Sequence, residues 1–318
     1  MSNAAAKAFA KPDMADLPAQ LAAAPASAAE ARARFFNSGN AFNIKLPPVP
    51  GGLFTAEPAR ALLADASTGF IACDQSAALG CAFPATTPLM LARYAVVAPG
   101  GRLAVDFCAT GSIWYVIAGA GQADCAGERL AFGPGDVLLL PGAPAEIRAG
   151  AGRVVLWVVT NEPQLALDGD LPPDAAHRPV APVHYPAAEI ARQVEIIYDH
   201  AQNAETSGIA LIFSCDTQAA ARNILPSLTL SLNTLPAGEH QRAHRHNSAA
   251  ITLVVQGEGC HSLVDGARCP WSPWATLVTP PGAPHSHHNG GGERALFLIV
   301  QDGGLHYHAR TMGFSFLA

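Results

Sequence analysis

Charge is scarce in this chain. Asp, Glu, Lys and Arg supply only 14% of its 318 residues, against 50% hydrophobic residues. So apolar a composition excludes a disordered polyelectrolyte. The net charge of -6 leaves no basic footprint for nucleic acid or an acidic membrane surface. Also missing is any apolar run of the roughly 18 residues needed to cross a bilayer. The Ala-rich start is interrupted by Lys7, Lys11, Pro12 and Asp13 and lacks the unbroken apolar stretch of an export signal. Seven Cys (Cys73, Cys81, Cys108, Cys125, Cys215, Cys260 and Cys269) form no CxxC pair, and their number is odd. Reduced thiols in a soluble, cytoplasmic protein are therefore expected, without a disulfide framework or zinc site.

What the chain has in quantity is turn residues. Twenty-nine Gly and 26 Pro separate short apolar runs, which favours many strands over a helical bundle. Strands are expected at Met90–Val97, Arg102–Ala109, Ile113–Ala118, Asp136–Leu140 and Arg153–Thr160. A second series follows at Ser227–Thr234, Ala249–Gln256, Cys260–Val264, Ala275–Thr279 and Ala295–Gln301. An Ala-rich helix is expected over about 15–36. Pro163–Pro186 reads as an unpatterned linker, and Ile190, Val194, Ile197 and Tyr198 carry helical spacing over Ala187–Gln202. The two strand series resemble each other: IWYVIAGAGQAD (113–124) matches ITLVVQGEGCHS (251–262), and FGPGDVLLLPGAPAEI (132–147) matches WSPWATLVTPPGAPHS (271–286). A duplicated all-β unit follows. Its divisions are expected at 1–60 (a partly helical extension), 61–165 (first barrel), 166–205 (linker and helix) and 206–318 (second barrel).

The chemistry is concentrated in the second unit. GEHQRAHRHNSAAITLVVQG (238–257) and PPGAPHSHHN (280–289) fit, in order, the two sequence motifs of the cupin superfamily. The fold expected is thus a bicupin of two double-stranded β-helix (jelly-roll) barrels with a few peripheral helices. His244 and His246 stand two apart, so on a strand both imidazoles enter the barrel. His285 completes a set of three nitrogens, which suits iron, manganese, nickel or zinc. The Glu that most cupins place four residues after the second His is Ala250 here, so the three ligands are neutral and coordination positions stay open. In the first unit the aligned positions hold Asp106, Cys108, Ser112 and Glu146, and that barrel is expected to be metal-free.

The stretch AHRHNSAAITLVVQGEGCHSLVDG (243–266) resembles the gentisate 1,2-dioxygenase group, which includes salicylate and 1-hydroxy-2-naphthoate dioxygenases. The resemblance is sharp over Ser227–Gln301. It implies Fe(II) on His244, His246 and His285, an aromatic substrate with dioxygen, extradiol-type ring cleavage, and a homodimer or homotetramer. It also implies that His287 exchanges a proton with the substrate. The group's substrate-binding Arg, six residues after the second His, is Thr252 here, which by strand parity faces the interior. Asn233, Arg242 and Arg310 are further candidates for substrate contact, with Arg93 a more distant one. Arg245 should point outward, and His306, His308 and Arg310 are placed to close the pocket mouth. Beside ring cleavage, the same residues fit a metal-dependent lyase, isomerase or diketone-cleaving enzyme, or a non-catalytic ligand-binding bicupin.

Overall fold

Strand Val154–Thr160 is buried along its whole length, and its alternation explains the architecture. Val154, Leu156 and Val158 join one apolar cluster with Leu103, Ala123 and Ile147. Val155, Trp157 and Val159 join another that includes Leu230, Ile251 and Leu298 from the second strand series. A strand apolar on both faces has to be covered on both. Here one face lines the interior of its own barrel and the other packs on the neighbouring barrel.

The computed structural model describes residues 11–42, 46–200, 202, 206 and 208–317. The first ten residues of the expected extension, and parts of 201–207 in the expected linker, lie outside these. The chain divides into two units, Met1–Pro47 and Pro48–Ala318. In the first unit the expected long helix is absent. Among its described residues only Ala28–Ala31, capped by Ser27, and Ser38–Ala41, capped by Asn37, make single α-helical turns. Gln20–Leu21 pairs with Arg34–Phe35 between them. Pro18 and Pro25 break the alanine run, and the pieces left are too short to repay helix nucleation.

The second unit holds two barrels, each built of two sheets. In the first barrel a six-stranded sheet runs Val183–Tyr185, Val137–Pro141, Gly111–Ala118, Val154–Thr160, Leu91–Val97, Gly69–Ala72. It faces a four-stranded sheet of Arg102–Val105, Ala145–Ala149, Gly121–Cys125 and Glu128–Phe132. The second barrel's six-stranded sheet runs Ile209–Phe213, Thr229–Leu235, Ala295–Gln301, Ala250–Gln256, Thr276–Thr279, Gly52–Phe54. Its five-stranded partner comprises Ala267–Pro270, Cys260–Val264, His285–Asn289, His244–His246 and Phe314–Phe316. The stretch Pro163–Pro186 is more ordered than its lack of periodicity suggested. Glu162–Asp168 is a short helix with Pro163 in its first turn, and Val183–Tyr185 extends the first barrel's sheet. The helix expected to 202 ends at Tyr198, with Ile190 and Val194 buried.

The two six-stranded sheets meet through the apolar cluster named above. A polar contact is embedded in it: Thr276 Oγ1 accepts the Trp157 indole N–H at 3.0 Å and lies 2.7 Å from the Tyr94 hydroxyl. All seven cysteines are free thiols, and no helix among the described residues is long and apolar enough to cross a membrane.

Candidate metal centre

Strand His244–His246 alternates buried, exposed, buried. Both imidazoles therefore enter the second barrel, while Arg245 points out and donates Nε–H to Ser315 Oγ at 3.2 Å. His285 opens the next strand, directly opposite His244 in register. The turn that delivers it depends on Gly282, whose φ of +74° is left-handed and whose N–H donates to His246 O at 2.7 Å. Ring centroids lie 4.2 Å apart for His244–His285 and 4.7 Å apart for His246–His285. One ring nitrogen from each of the three histidines falls within 4.8 Å of the other two.

The hydrogen bonds settle which nitrogen is free. Nδ1 of His244 bonds Arg242 O at 2.9 Å, Nδ1 of His246 bonds Ser248 O at 2.8 Å, and Nδ1 of His285 bonds Ala283 O at 2.9 Å. A carbonyl only accepts, so each Nδ1 carries the proton and each Nε2 keeps its lone pair. This backbone support fixes both tautomer and ring orientation, as the second layer of a metal site does. Burial adds to it. Desolvation, reinforced by the neighbouring imidazoles, lowers His246 to about 4 and His285 to about 3; desolvation also lowers His244. Three neutral, convergent imidazoles fit a divalent transition metal.

The histidines open into a pocket of about 420 Å³. Thr252 and Asn233 line it, both buried, and Asn233 Nδ2 donates to Ser231 Oγ at 2.9 Å. His287 lines it too, and burial depresses its basicity well below the ordinary value. Its Nδ1 lies 2.8 Å from Ser262 Oγ, which also accepts the Trp271 indole N–H at 2.8 Å. With one Ser262 lone pair taken, every group finds a partner when the Ser262 hydroxyl donates to Nδ1. That arrangement puts the His287 proton on Nε2, the tautomer opposite to that of the other three histidines.

Other expected residues lie elsewhere. Arg242 is exposed with its guanidinium 4.3 Å from the Phe316 ring centre, and it serves the site only through its carbonyl. Arg310 is exposed and donates to His308 O. Arg93 belongs to the first barrel and pairs with Glu162. His306 bonds Asn247 at 3.1 Å, and the pocket is closed instead by Tyr307, Met312 and Phe314. These side chains follow the last apolar strand, where neither period signals which way they turn.

Of the pocket residues that the sequence reading did not single out, two bear on the chemistry. Arg222, itself exposed, is the one Lys, Arg, Asp or Glu among the described lining residues; its backbone is left-handed at φ +57°. It sits in a stretch without periodicity, so no pattern marks it. Gln301 was legible, because it ends Ala295–Gln301 in phase with the interior residues Phe297 and Ile299.

In the first barrel the aligned side chains are engaged separately. Asp106 and Cys108 are exposed, Ser112 accepts from the Trp114 indole at 2.8 Å, and Glu146 pairs with Arg148.

Residues 231–301 match the cupin domain family. Over 82 residues the chain is 37% identical to a gentisate 1,2-dioxygenase of Ralstonia, a match covering 26% of this chain and 23% of that one. Over 78 residues it is 33% identical to a 5-aminosalicylate 1,2-dioxygenase of Comamonas, covering 24% and 21% respectively. The chain thus matches less than a quarter of the length of these curated relatives. The fold extends further. The salicylate 1,2-dioxygenase of Pseudaminobacter salicylatoxidans superposes with a TM-score of 0.69 over 86% of this chain and 89% of that one, at 12% identity.

Proposed function

The chain being a gentisate dioxygenase-like bicupin, we propose that it cleaves the ring of a hydroxylated aromatic acid with dioxygen, using Fe(II) held by His244, His246 and His285. The observation that carries this reading is the set of three imidazoles, each fixed by a backbone carbonyl with its Nε2 turned to one point. A divalent iron held there would supply the redox chemistry that lets dioxygen react with an electron-rich ring. Both oxygen atoms enter the product, and the ring opens beside a carbon that bears oxygen.

The chain's own residues would bind, orient and move protons. The pocket volume suits a one- or two-ring substrate. With its proton on Nε2, His287 serves as a hydrogen-bond donor to a substrate oxygen, held in place by Ser262 and Trp271. Because burial opposes its protonation, it remains neutral across the physiological range. Thr252 offers a hydroxyl where a cation was expected, so the substrate's acidic group is assigned to Arg222. Among the described residues no carboxylate lines the pocket to compete for that guanidinium. Ile299, Met312 and Phe314 supply apolar contact for the ring.

The test is dioxygen uptake by Fe(II)-loaded protein with gentisate, salicylate and their amino derivatives, with product followed by loss of aromatic absorbance. Uptake matched one to one by ring loss supports the reading. Product formed without dioxygen would redirect it to a lyase or isomerase. Absence of turnover with any such acid, in protein shown to hold iron, would overturn it.

A further inference from the structure

Most cupins place a carboxylate four residues after the second histidine. In this chain that position is Ala250, which lines the pocket and carries no donor. Directly across the sheet, Ala250 pairs in register with Gln301. Gln301 lines the same pocket. Its Oε1 accepts from Ser248 Oγ at 3.1 Å, and its Nε2 lies 3.4 Å from His246 Nε2. That nitrogen is the one His246 keeps free for a metal, because its Nδ1 is committed to Ser248 O.

We propose that Gln301 is the fourth protein ligand of this centre, donating its carboxamide oxygen in place of the missing cupin carboxylate. The inference rests on the three-histidine metal site and not on ring cleavage. As it stands, the amide presents N–H groups to the His246 lone pair, a suitable arrangement without a cation. A divalent ion at the Nε2 atoms repels those hydrogens. Turning the terminal amide by half a turn exchanges two groups of nearly the same size and brings the carbonyl oxygen to the histidine side. Ser248 permits either orientation. Its hydroxyl donates to Oε1 in the first and accepts from Nε2–H in the second. A neutral oxygen ligand leaves the ion its full double positive charge, unlike a glutamate. It also adds a hard donor to three imidazoles, which favours Fe(II) or Mn(II) over softer metals.

Co(II) is a suitable probe, because its visible absorption reports ligand number and its affinity is measurable by chelator competition without turnover. Gln301→Leu is expected to weaken Co(II) binding about 10- to 100-fold, the range typical when a ligand-supporting contact is lost. It should also intensify and shift the d–d bands as coordination falls. Gln301→Glu should bind Co(II) more tightly than the wild type. If Gln301→Leu melts normally yet shows unchanged Co(II) affinity and an unchanged spectrum, the proposal is overturned. Should the leucine variant not fold, Gln301→Asn, one methylene too short to reach, must show the same weakening, and its failure to do so also overturns the proposal. Tight Co(II) binding that depends on Gln301, in a protein that consumes no dioxygen, would sink the proposed reaction while leaving this ligand in place.

Discussion

The two barrels share a strand order and a face, yet one is solid and the other hollow. In the first, Trp114, Phe132, Leu138, Leu140 and Ile147 fill the space between the sheets, and the space around Ser112 measures only about 10 Å³. In the second, a similar filling of Leu235, Val254, Trp271 and Phe297 occupies one end alone. The other end holds His244, His246, His285 and His287 around about 420 Å³. Both six-stranded sheets keep apolar outward faces, because these pack on each other. The difference lies in every second residue of a few strands. Strand Leu91–Val97 turns Ala95 and Val97 inward; its counterpart Thr229–Leu235 turns Thr, Ser and Asn inward. A duplicated fold is thus specialised by changing one face of its strands and leaving the other to hold the pair together.

Four measurements would break or sharpen this contrast. The largest effect is expected from His246→Ala. Metal content by mass spectrometry should fall from near stoichiometric to background, and activity by roughly a thousandfold or more, while thermal melting of the metal-free protein changes little. Next, Trp114→Ala should cost about 3–5 kcal/mol in chemical denaturation by opening a cavity in the filled barrel, with bound metal per folded molecule unchanged. A hollow second barrel also carries a buried acid, Asp302, whose carboxyl accepts Ala249 N–H at 2.9 Å. Burial raises it from 3.8 to about 7. A raised carboxyl contributes stability that is present below pH 4 and lost as pH rises through 7. Asp302→Asn should therefore flatten the melting temperature across that window, removing at most about 4 kcal/mol of pH dependence at 1.36 kcal/mol per unit. The smallest effect is expected from Arg222→Gln. It should raise KM for an aromatic acid roughly tenfold or more, equal to about 1.4 kcal/mol, with kcat nearly unchanged and no penalty for the corresponding amide. An equal penalty for the amide would remove Arg222 from acid recognition.

Much of this contrast was legible in the sequence, for a physical reason. Strands that are near-continuous apolar runs, such as Ala250–Gln256 and Ala295–Gln301, were bounded within a residue, since a strand covered on both faces ends where its apolar run ends. Strand parity put His244, His246 and Thr252 inside and Arg245 outside. What escaped depends on tertiary placement. Gly52–Phe54 finds its partner more than 200 residues later in Thr276–Val278, and Phe314–Phe316 pairs with the histidine strand. Strands of three residues show too little periodicity to declare themselves. Arg242 and Arg310 were proposed for their charge alone, and charge prefers water unless something holds it. Arg222 lines the pocket although it too is exposed, and the irregular stretch around it has no periodicity to announce it.

The strand Phe314–Phe316 has one more consequence. The pocket has walls of unequal thickness. The six-stranded sheet is covered on its far side by the other barrel, whereas this three-residue strand is the outer edge of its sheet, with Phe314 45% exposed. Amide exchange should be slowest along Ala250–Gln256 and Ala295–Gln301, opening only with global unfolding, and faster at 314–316, where edge pairing is short. Breathing of the cavity would then be one-sided. A ligand would enter past Met312 and Phe314 on the timescale of a fraying edge, while Asn233, Thr252 and Gln301 stay still on the opposite wall.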